Sequence, residues 1–365
     1  MDVAIVGTGL IGGSFGLAVR AAIPTGRVVG FDPDEDAIAA ALERGAVTER
    51  AATAPDAVAA AQLVVLALPV DRIPKTCWVI GHAVGPDAVV TDVGSAKAQV
   101  VGEGESVFGG RFVGGHPMAG SERHGIEAAD AQLFQDAWWI LTPTEATSSH
   151  AYGTVSELVR SLGAKPVAVA PDVHDALVAR LSHLPQLTAS ALVEVAAAAG
   201  DRDALLGLAA SGFRDVTRIA ASNPDLWVAI IKSNRGAVLD ALEGLEHRLE
   251  AVGEMIARDR WEELRSFLEG NRRARLEIFA KPAFAREEEP VGLSLLVPDR
   301  PGVLAEVTTA AGELGVNIED LRIVHSTEGG RGRLELIVAG PGRAELLVGA
   351  LMKLGYRVER TELDL

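Results

Sequence analysis

The first thirty-two residues restrict the fold more than any other stretch. A short apolar run, Asp2 to Val6, leads into Gly7-Thr8-Gly9-Leu10-Ile11-Gly12 and then into a segment of apolar periodicity reaching Ala22. That order reads as strand, glycine turn and helix. Gly7 allows the tight turn, Gly9 lets the backbone approach a pyrophosphate, and Gly12 lets the helix pack close to the strand. The helix N-terminus then attracts phosphate charge. A second apolar stretch, Arg27 to Phe31, ends in Asp32, twenty residues after Gly12. A carboxylate at that distance can bond the adenine ribose 2′-hydroxyl and repel a 2′-phosphate, which selects NAD over NADP. The cofactor-binding set is therefore Gly7, Gly9, Leu10, Ile11, Gly12 and Asp32. The plain alternative is an ordinary strand-to-helix turn, with Asp32 capping the helix that starts at Pro33.

A chain of 365 residues exceeds one ordinary core and predicts two or three domains. Its formal net charge of -16 excludes the basic footprint of a nucleic-acid or anionic-membrane binder. The single cysteine, Cys77, excludes an intramolecular disulfide framework and fits a reducing compartment, so a cytoplasmic enzyme is expected. The apolar N-terminus lacks the positive flank of a signal peptide. No uncharged apolar run reaches the roughly 18 to 20 residues of a membrane helix.

Leu63 to Leu68 and Ala88 to Thr91 read as continuous apolar strands of a parallel sheet covered on both faces. Ligands of such a sheet sit beyond the carboxyl ends of the strands. Ser95 and Lys97, just after the second strand, are thus expected to face the cleft, although Ser95 is also a good helix N-cap. A further strand, Arg111 to Val113, delivers the loop Gly114-Gly115-His116-Pro117-Met118-Ala119-Gly120-Ser121-Glu122. The His-Pro pair and the flanking glycines predict that His116 sits at the end of an element. There its imidazole can act as a proton acceptor near neutrality or simply cap a backbone carbonyl. Strands at Trp138 to Thr142 and Pro166 to Ala170, with a helix between them, complete the sheet.

From Pro171 the texture turns helical. Pro185 predicts a kink beside His183. Arg214 and Arg218 share a helical face, where they either form a solvated salt-bridged surface or clamp a carboxylate. Apolar stripes between Trp227 and Leu268 exceed what one sheet face needs and suggest a helical dimer interface. Lys281 to Pro290 reads as a linker, and after it the order of elements is βαββαβ, a ferredoxin-like unit. Its first strand-to-helix loop, Pro298 to Gly302, either receives a ligand carboxylate or makes a stiff turn.

Taken together, these motifs resemble the prephenate dehydrogenase (TyrA) family with a C-terminal ACT domain. The resemblance rests on GTGLIGGS (7–14), DVGSAK (92–97), GGHPMAGSE (114–122), LSHLPQ (181–186), GFRDVTR (212–218), DRPGVLAEV (299–307) and GVNIED (315–320). It implies an α/β fold made of a Rossmann-type NAD-binding domain (1–170), a helical substrate and dimerisation domain (171–281), a linker (282–290) and an ACT regulatory domain (291–365). It implies oxidative decarboxylation of prephenate, with NAD as hydride acceptor and no metal. His116 takes the proton of the ring hydroxyl, Ser95 bonds that hydroxyl, and Arg218 clamps a substrate carboxylate. His183 lies near substrate and cofactor, and Glu122 at the active-site entrance. Where relatives often carry a second histidine, this chain has Gln186. The ACT resemblance implies a tyrosine effector near Pro301, Gly302 and Asn317. Two alternatives stay open: an arogenate dehydrogenase, and a sensing module that binds NAD and an amino acid without chemistry.

Overall fold

A computed structural model describes residues 1–22, 26–120, 125–198, 211–279, 290–298, 300–325 and 331–361. The chain forms two compact units, residues 1–250 and 251–365.

In the first unit the elements follow in the order β1 (Val3–Val6), α1 (Leu10–Ala22), β2 (Val28–Phe31), α2 (Glu35–Glu43), β3 (Glu49–Arg50), α3 (Ala54–Val58), β4 (Leu63–Leu66), α4 (Ile73–Ile80), β5 (Val89–Asp92), α5 (Ala98–Phe108), β6 (Phe112–Pro117), β7 (Trp138–Thr142), α6 (Ser149–Ser161) and β8 (Lys165–Ala168). The eight strands form one sheet in the order β3-β2-β1-β4-β5-β6-β7-β8. Strands β1 to β6 run parallel in that ladder. Both faces are covered, as the unbroken apolar strands require. Val3 and Ile5 of β1 enter one core layer with Leu63 and Val65 of β4, whereas Ala4 and Val6 enter the other with Val64 and Leu66.

Two features of the sheet differ from the sequence expectation. First, β6 does not stop before His116. His116 and Pro117 continue it, opposite Ile140 and Trp139 of an antiparallel β7. Met118 N–H still donates to the carbonyl of Trp138, 2.7 Å away. Hydrogen-bonded pairs alternate along an antiparallel ladder, so Pro117 falls where its missing N–H costs no bond. Second, the short edge strand β3 had no period-2 signal because it has two exposed residues.

The helical segment that follows packs against α5 and the turn Val70–Arg72 of this unit. It holds α7 (Pro171–Val178), α8 (Leu184–Ala197) and the helices Ser211–Thr217, Pro224–Ser233 and Arg235–Ala257. Ile230 is buried with Val70, Ile73 and Cys77 in the second core layer. Where the kink beside His183 is expected, the helical run changes type. A π-turn, Ala179–His183, joins α7 to α8, and Pro185 takes the first turn of α8, where no N–H is required. The expected continuous face of Arg214 and Arg218 is broken. The helix Ser211–Thr217 ends before Arg218, which opens a 3-10 turn.

The second unit contains the helix Trp261–Phe279 and a four-stranded antiparallel sheet of β9 (Pro290–Pro298), β10 (Ile318–His325), β11 (Arg331–Ala339) and β12 (Arg357–Thr361), in the order β10-β11-β9-β12. With the helices Val303–Glu313 and Pro341–Lys353 this is the expected βαββαβ unit. Its own core includes Leu293, Leu295, Val307, Leu336 and Leu347. The linker expected at 282–290 lies outside the described residues except for Pro290. Among the described residues, no helix is long and apolar enough to cross a membrane.

Candidate active site

The glycine turn after β1 has the shape a dinucleotide pyrophosphate needs. Gly7 has φ +97°, and a Cβ there would lie 2.3 Å from the Ala67 carbonyl oxygen. A Cβ on Gly12 would lie 1.9 Å from the carbonyl oxygen of Gly7, so α1 can sit this close only with glycine. Gly9 has open space where its side chain would be, which leaves the backbone free to meet a ligand. Leu10 and Ile11 begin α1. Asp32 is not a helix cap: Asp34 caps α2, accepting from the N–H groups of Asp36 and Ala37. The Asp32 carboxylate instead reaches across to the turn, accepting from Thr8 N–H at 2.7 Å and from the Thr8 hydroxyl at 3.2 Å. It thereby stands at the carboxyl end of β2, beside the glycine turn.

At the ends of β5 and β6 the chain buries an ion pair. Asp92 and Lys97 are fully buried and bonded to each other through Oδ2 and Nζ. Asp92 also accepts from Gly94 N–H at 2.7 Å and from Gly115 N–H at 3.1 Å, and Lys97 Nζ donates to the Gly115 carbonyl at 2.8 Å. Burial depresses the Lys97 pKa, opposed by the adjacent Asp92 carboxylate. Lys97 therefore does not face the cleft as expected. It ties the β5 end to the strand that carries His116. Ser95, two residues earlier, is half-buried and is not the cap of α5. That cap is Asp175 of α7, whose carboxylate accepts from Lys97 N–H at 2.7 Å and Ala98 N–H at 2.9 Å.

Asp175 is also the hub of a histidine cluster. Its Oδ1 lies 2.8 Å from His174 Nδ1, and His174 Nε2 lies 2.8 Å from His116 Nδ1. The backbone carbonyl of Asp175 accepts from Asn234 Nδ2 at 2.8 Å, and the same amide lies 3.3 Å from His183 Nδ1. The His183 ring meets Trp227 edge-on, centroids 6.0 Å apart. His116 is half-buried, whereas His174, His183 and Asn234 are buried. Desolvation, with His174, Lys97 and His183 close by, holds the His116 pKa well below the ordinary imidazole range. Desolvation also pushes His183 down to about 4, against the pull of Asp175 and with that of His174. Both rings are neutral at pH 7. An imidazole without a proton at one nitrogen is what a base requires.

These depressed values carry a stability consequence. Above about pH 6.5 the histidines are neutral in both the folded and the unfolded chain and contribute nothing. As pH falls below that, the unfolded chain binds protons that the native rings refuse, so stability drops between about 6.5 and about 4. Urea midpoints measured down this range should fall, and His183→Gln should fall less steeply than the parent; identical slopes would contradict the assignment.

The structure thus gathers His116 and His183 into one bonded cluster, while Ser95 is half-buried two residues before Lys97, whose N–H bonds Asp175. Arg218 is exposed, on the turn Arg218–Ala221 that packs against α8. Glu122 lies outside the described residues. His174, Asp175, Asn234 and the Asp92–Lys97 pairing were missed from sequence. A usable signal existed: Asp175, Ala179 and His183 recur every four residues on the buried stripe, so two polar groups occupy positions that ordinarily hold apolar ones.

In the second unit, a cavity of about 250 Å³ opens at the start of the helix Val303–Glu313, lined by Pro298, Arg300, Pro301, Gly302, Ile323 and Leu334 among others. Gly302 precedes that helix with φ +92° and no side-chain cap. Asn317 is exposed and does not line this cavity.

Comparison with known proteins gives consistent matches. The family described as "Prephenate dehydrogenase, nucleotide-binding domain" matches residues 15–168, "Prephenate dehydrogenase, dimerization domain" matches 170–270, and "ACT domain" matches 291–356. Prephenate dehydrogenase of Bacillus subtilis (strain 168) is 33% identical over 341 residues, 91% of this chain and 90% of that protein. The crystal structure of prephenate dehydrogenase from A. aeolicus in complex with hydroxyphenyl propionate and NAD+ is similar at a TM-score of 0.72 and 33% identity, over 76% of this chain and 98% of that one. Synechocystis arogenate dehydrogenase is similar at a TM-score of 0.67 and 31% identity, over 76% of this chain and all (100%) of that one.

Proposed function

The chain belongs to the prephenate dehydrogenase family, and from that premise we propose that it oxidatively decarboxylates prephenate to 4-hydroxyphenylpyruvate with reduction of NAD. The observation that carries the reading is the place of His116 at the carboxyl end of β6, on the edge of the sheet that also bears the glycine turn. Residues 1–170 bind the nucleotide, 171–281 complete the substrate site and the dimer interface, 282–290 link, and 291–365 regulate. The open backbone at Gly9 and the carboxylate of Asp32 fit NAD, with Gly7, Leu10, Ile11 and Gly12 forming the rest of the turn. Bound NAD supplies the hydride acceptor.

The residues of this chain manage the proton. As the hydroxyl-bearing ring carbon gives up its hydride, the hydroxyl proton must leave, and His116 receives it while Ser95 orients the oxygen. The electron pair of the breaking ring-carboxylate bond then makes the ring aromatic, carbon dioxide departs, and the negative ring oxygen takes the proton back from His116. Arg218 holds a substrate carboxylate through its planar fork, His183 borders the substrate, and Glu122 belongs to the entrance. For Arg218→Gln the expected damage is a KM for prephenate raised on the order of tenfold or more, as loss of a charge-assisted bond of about 1.5–3 kcal/mol implies. An unchanged KM in initial-rate measurements returns Arg218 to a surface role.

The Synechocystis relative supports a second reading, in which arogenate is the substrate. NADH formation followed by absorbance, with prephenate and arogenate each crossed against NAD and NADP, separates the two. Prephenate with NAD is expected to be fastest. Absence of reduction with either substrate returns the chain to a sensing role.

The helical segment is proposed to form a homodimer, consistent with exposed Leu239 and Leu249 and with the dimerization-domain match. The cavity at Pro301 and Gly302 is proposed to take tyrosine as feedback inhibitor, with Asn317 contributed from a neighbouring domain; the effector acts by binding two states unequally. In Gly302→Trp, tyrosine inhibition should be lost with activity retained. Inhibition curves identical to the parent's would place the effector elsewhere. The protein is proposed to act in the cytoplasm.

A further inference from the structure

The hydrogen bonds around Asp175 fix more than the position of His116. An ionised carboxylate only accepts, so the Asp175–His174 contact at 2.8 Å puts the His174 proton on Nδ1. When His174 carries only that proton, its Nε2 has a lone pair, and the 2.8 Å contact with His116 requires His116 to donate from Nδ1. The His116 lone pair is left on Nε2. Asn234 acts on the second ring in the opposite sense. One amide proton goes to the Asp175 carbonyl and the other faces His183 Nδ1, so His183 accepts there and carries its own proton on Nε2.

We propose that Asp175 and His174 are positioning residues of the reaction: through the chain Asp175–His174–His116 they hold His116 as the Nδ1–H tautomer, with its basic lone pair on Nε2. The proposal rests on reading His116 as the proton acceptor. Asp175 is suited to the task because it cannot move alone. Its two oxygens also accept from the free N–H groups of α5, and its backbone carbonyl is held by Asn234. The charged and titratable groups facing the cluster are Asp175, Lys97 and His183, and the Lys97 ammonium is paired with Asp92.

Nitrogen NMR of the full-length protein labelled with 15N-histidine, in the presence of NAD, reads the tautomer directly. The His116 signals are identified by their loss in His116→Asn. Wild type should show Nδ1–H at His116. Asp175→Asn should reverse this: its amide donates to His174 Nδ1, moves the His174 proton to Nε2 and forces the His116 proton onto Nε2. Turnover should then fall on the order of 10³- to 10⁴-fold, the size that a wrong histidine tautomer causes, with KM for prephenate within about threefold because no substrate contact is removed. His174→Phe should also lose turnover, and His174→Gln, whose amide oxygen can accept from His116 Nδ1, should regain at least about tenfold over His174→Phe. A wild-type His116 protonated on Nε2 would overturn the proposal, as would His174→Phe with normal kcat. If instead His116→Asn keeps normal turnover, it is the base assignment that fails, whatever the tautomer.

Discussion

His116→Asn should lower kcat for prephenate by about 10²- to 10⁴-fold, the contribution typical of a positioned general base, equivalent to about 3–5 kcal/mol of barrier. Asparagine has no nitrogen that can take a proton, so the hydroxyl proton must leave to water while the hydride departs. The glycine turn and Asp32 stand on other strands, so the affinity for NAD, measured by fluorescence titration, should be unchanged. A joint loss of NAD binding and turnover would indicate a collapsed sheet edge. The acid limb of kcat/KM should also lie below the ordinary histidine range, because desolvation lowers the pKa of the His116 ring in the free enzyme.

Lys97→Met should cost about 3–5 kcal/mol of folding stability, as removal of one member of a buried ion pair does. It leaves the Asp92 carboxylate fully buried with only the N–H groups of Gly94 and Gly115 as donors. For a unit of this size the melting temperature should fall on the order of 10 °C. The double variant Lys97→Met/Asp92→Asn removes the stranded charge and should recover part of the loss. A double variant no more stable than Lys97→Met would show that the pair contributes packing and not charge compensation. Lys97 also holds the carbonyl of Gly115, next to His116, so residual activity of the single variant should fall more than residual fold.

Much of this was legible in the sequence because periodicity and turn chemistry are local. The unbroken apolar runs of β1 and β4, the Gly7-x-Gly9-x-x-Gly12 turn and the alternation of the βαββαβ unit each depend on neighbours a few residues apart. Asp32 was singled out by its distance from the turn, and its bond to Thr8 explains why it does not cap a helix. His116 was singled out at an element's end, but the strand was stopped at Val113 instead of Pro117, because the rule that proline ends a strand ignores the alternation of the antiparallel ladder. Lys97 was placed in the cleft because it follows the carboxyl end of a parallel strand, where ligands sit. Its partner Asp92 is five residues away, yet Gly115 and Asp175, which complete its surroundings, are 18 and 78 residues away. The His174–His116 contact spans 58 residues and two segments of different texture, so no local pattern contained it.

The most direct test of the proposed chemistry is the ratio of carbon dioxide released to NADH formed when the wild-type protein turns over prephenate. Equimolar release is expected, because the electron pair of the ring-carboxylate bond restores the aromatic ring each time a hydride leaves. NADH formed without carbon dioxide would contradict it, and would make the protein a dehydrogenase of another class on the same fold.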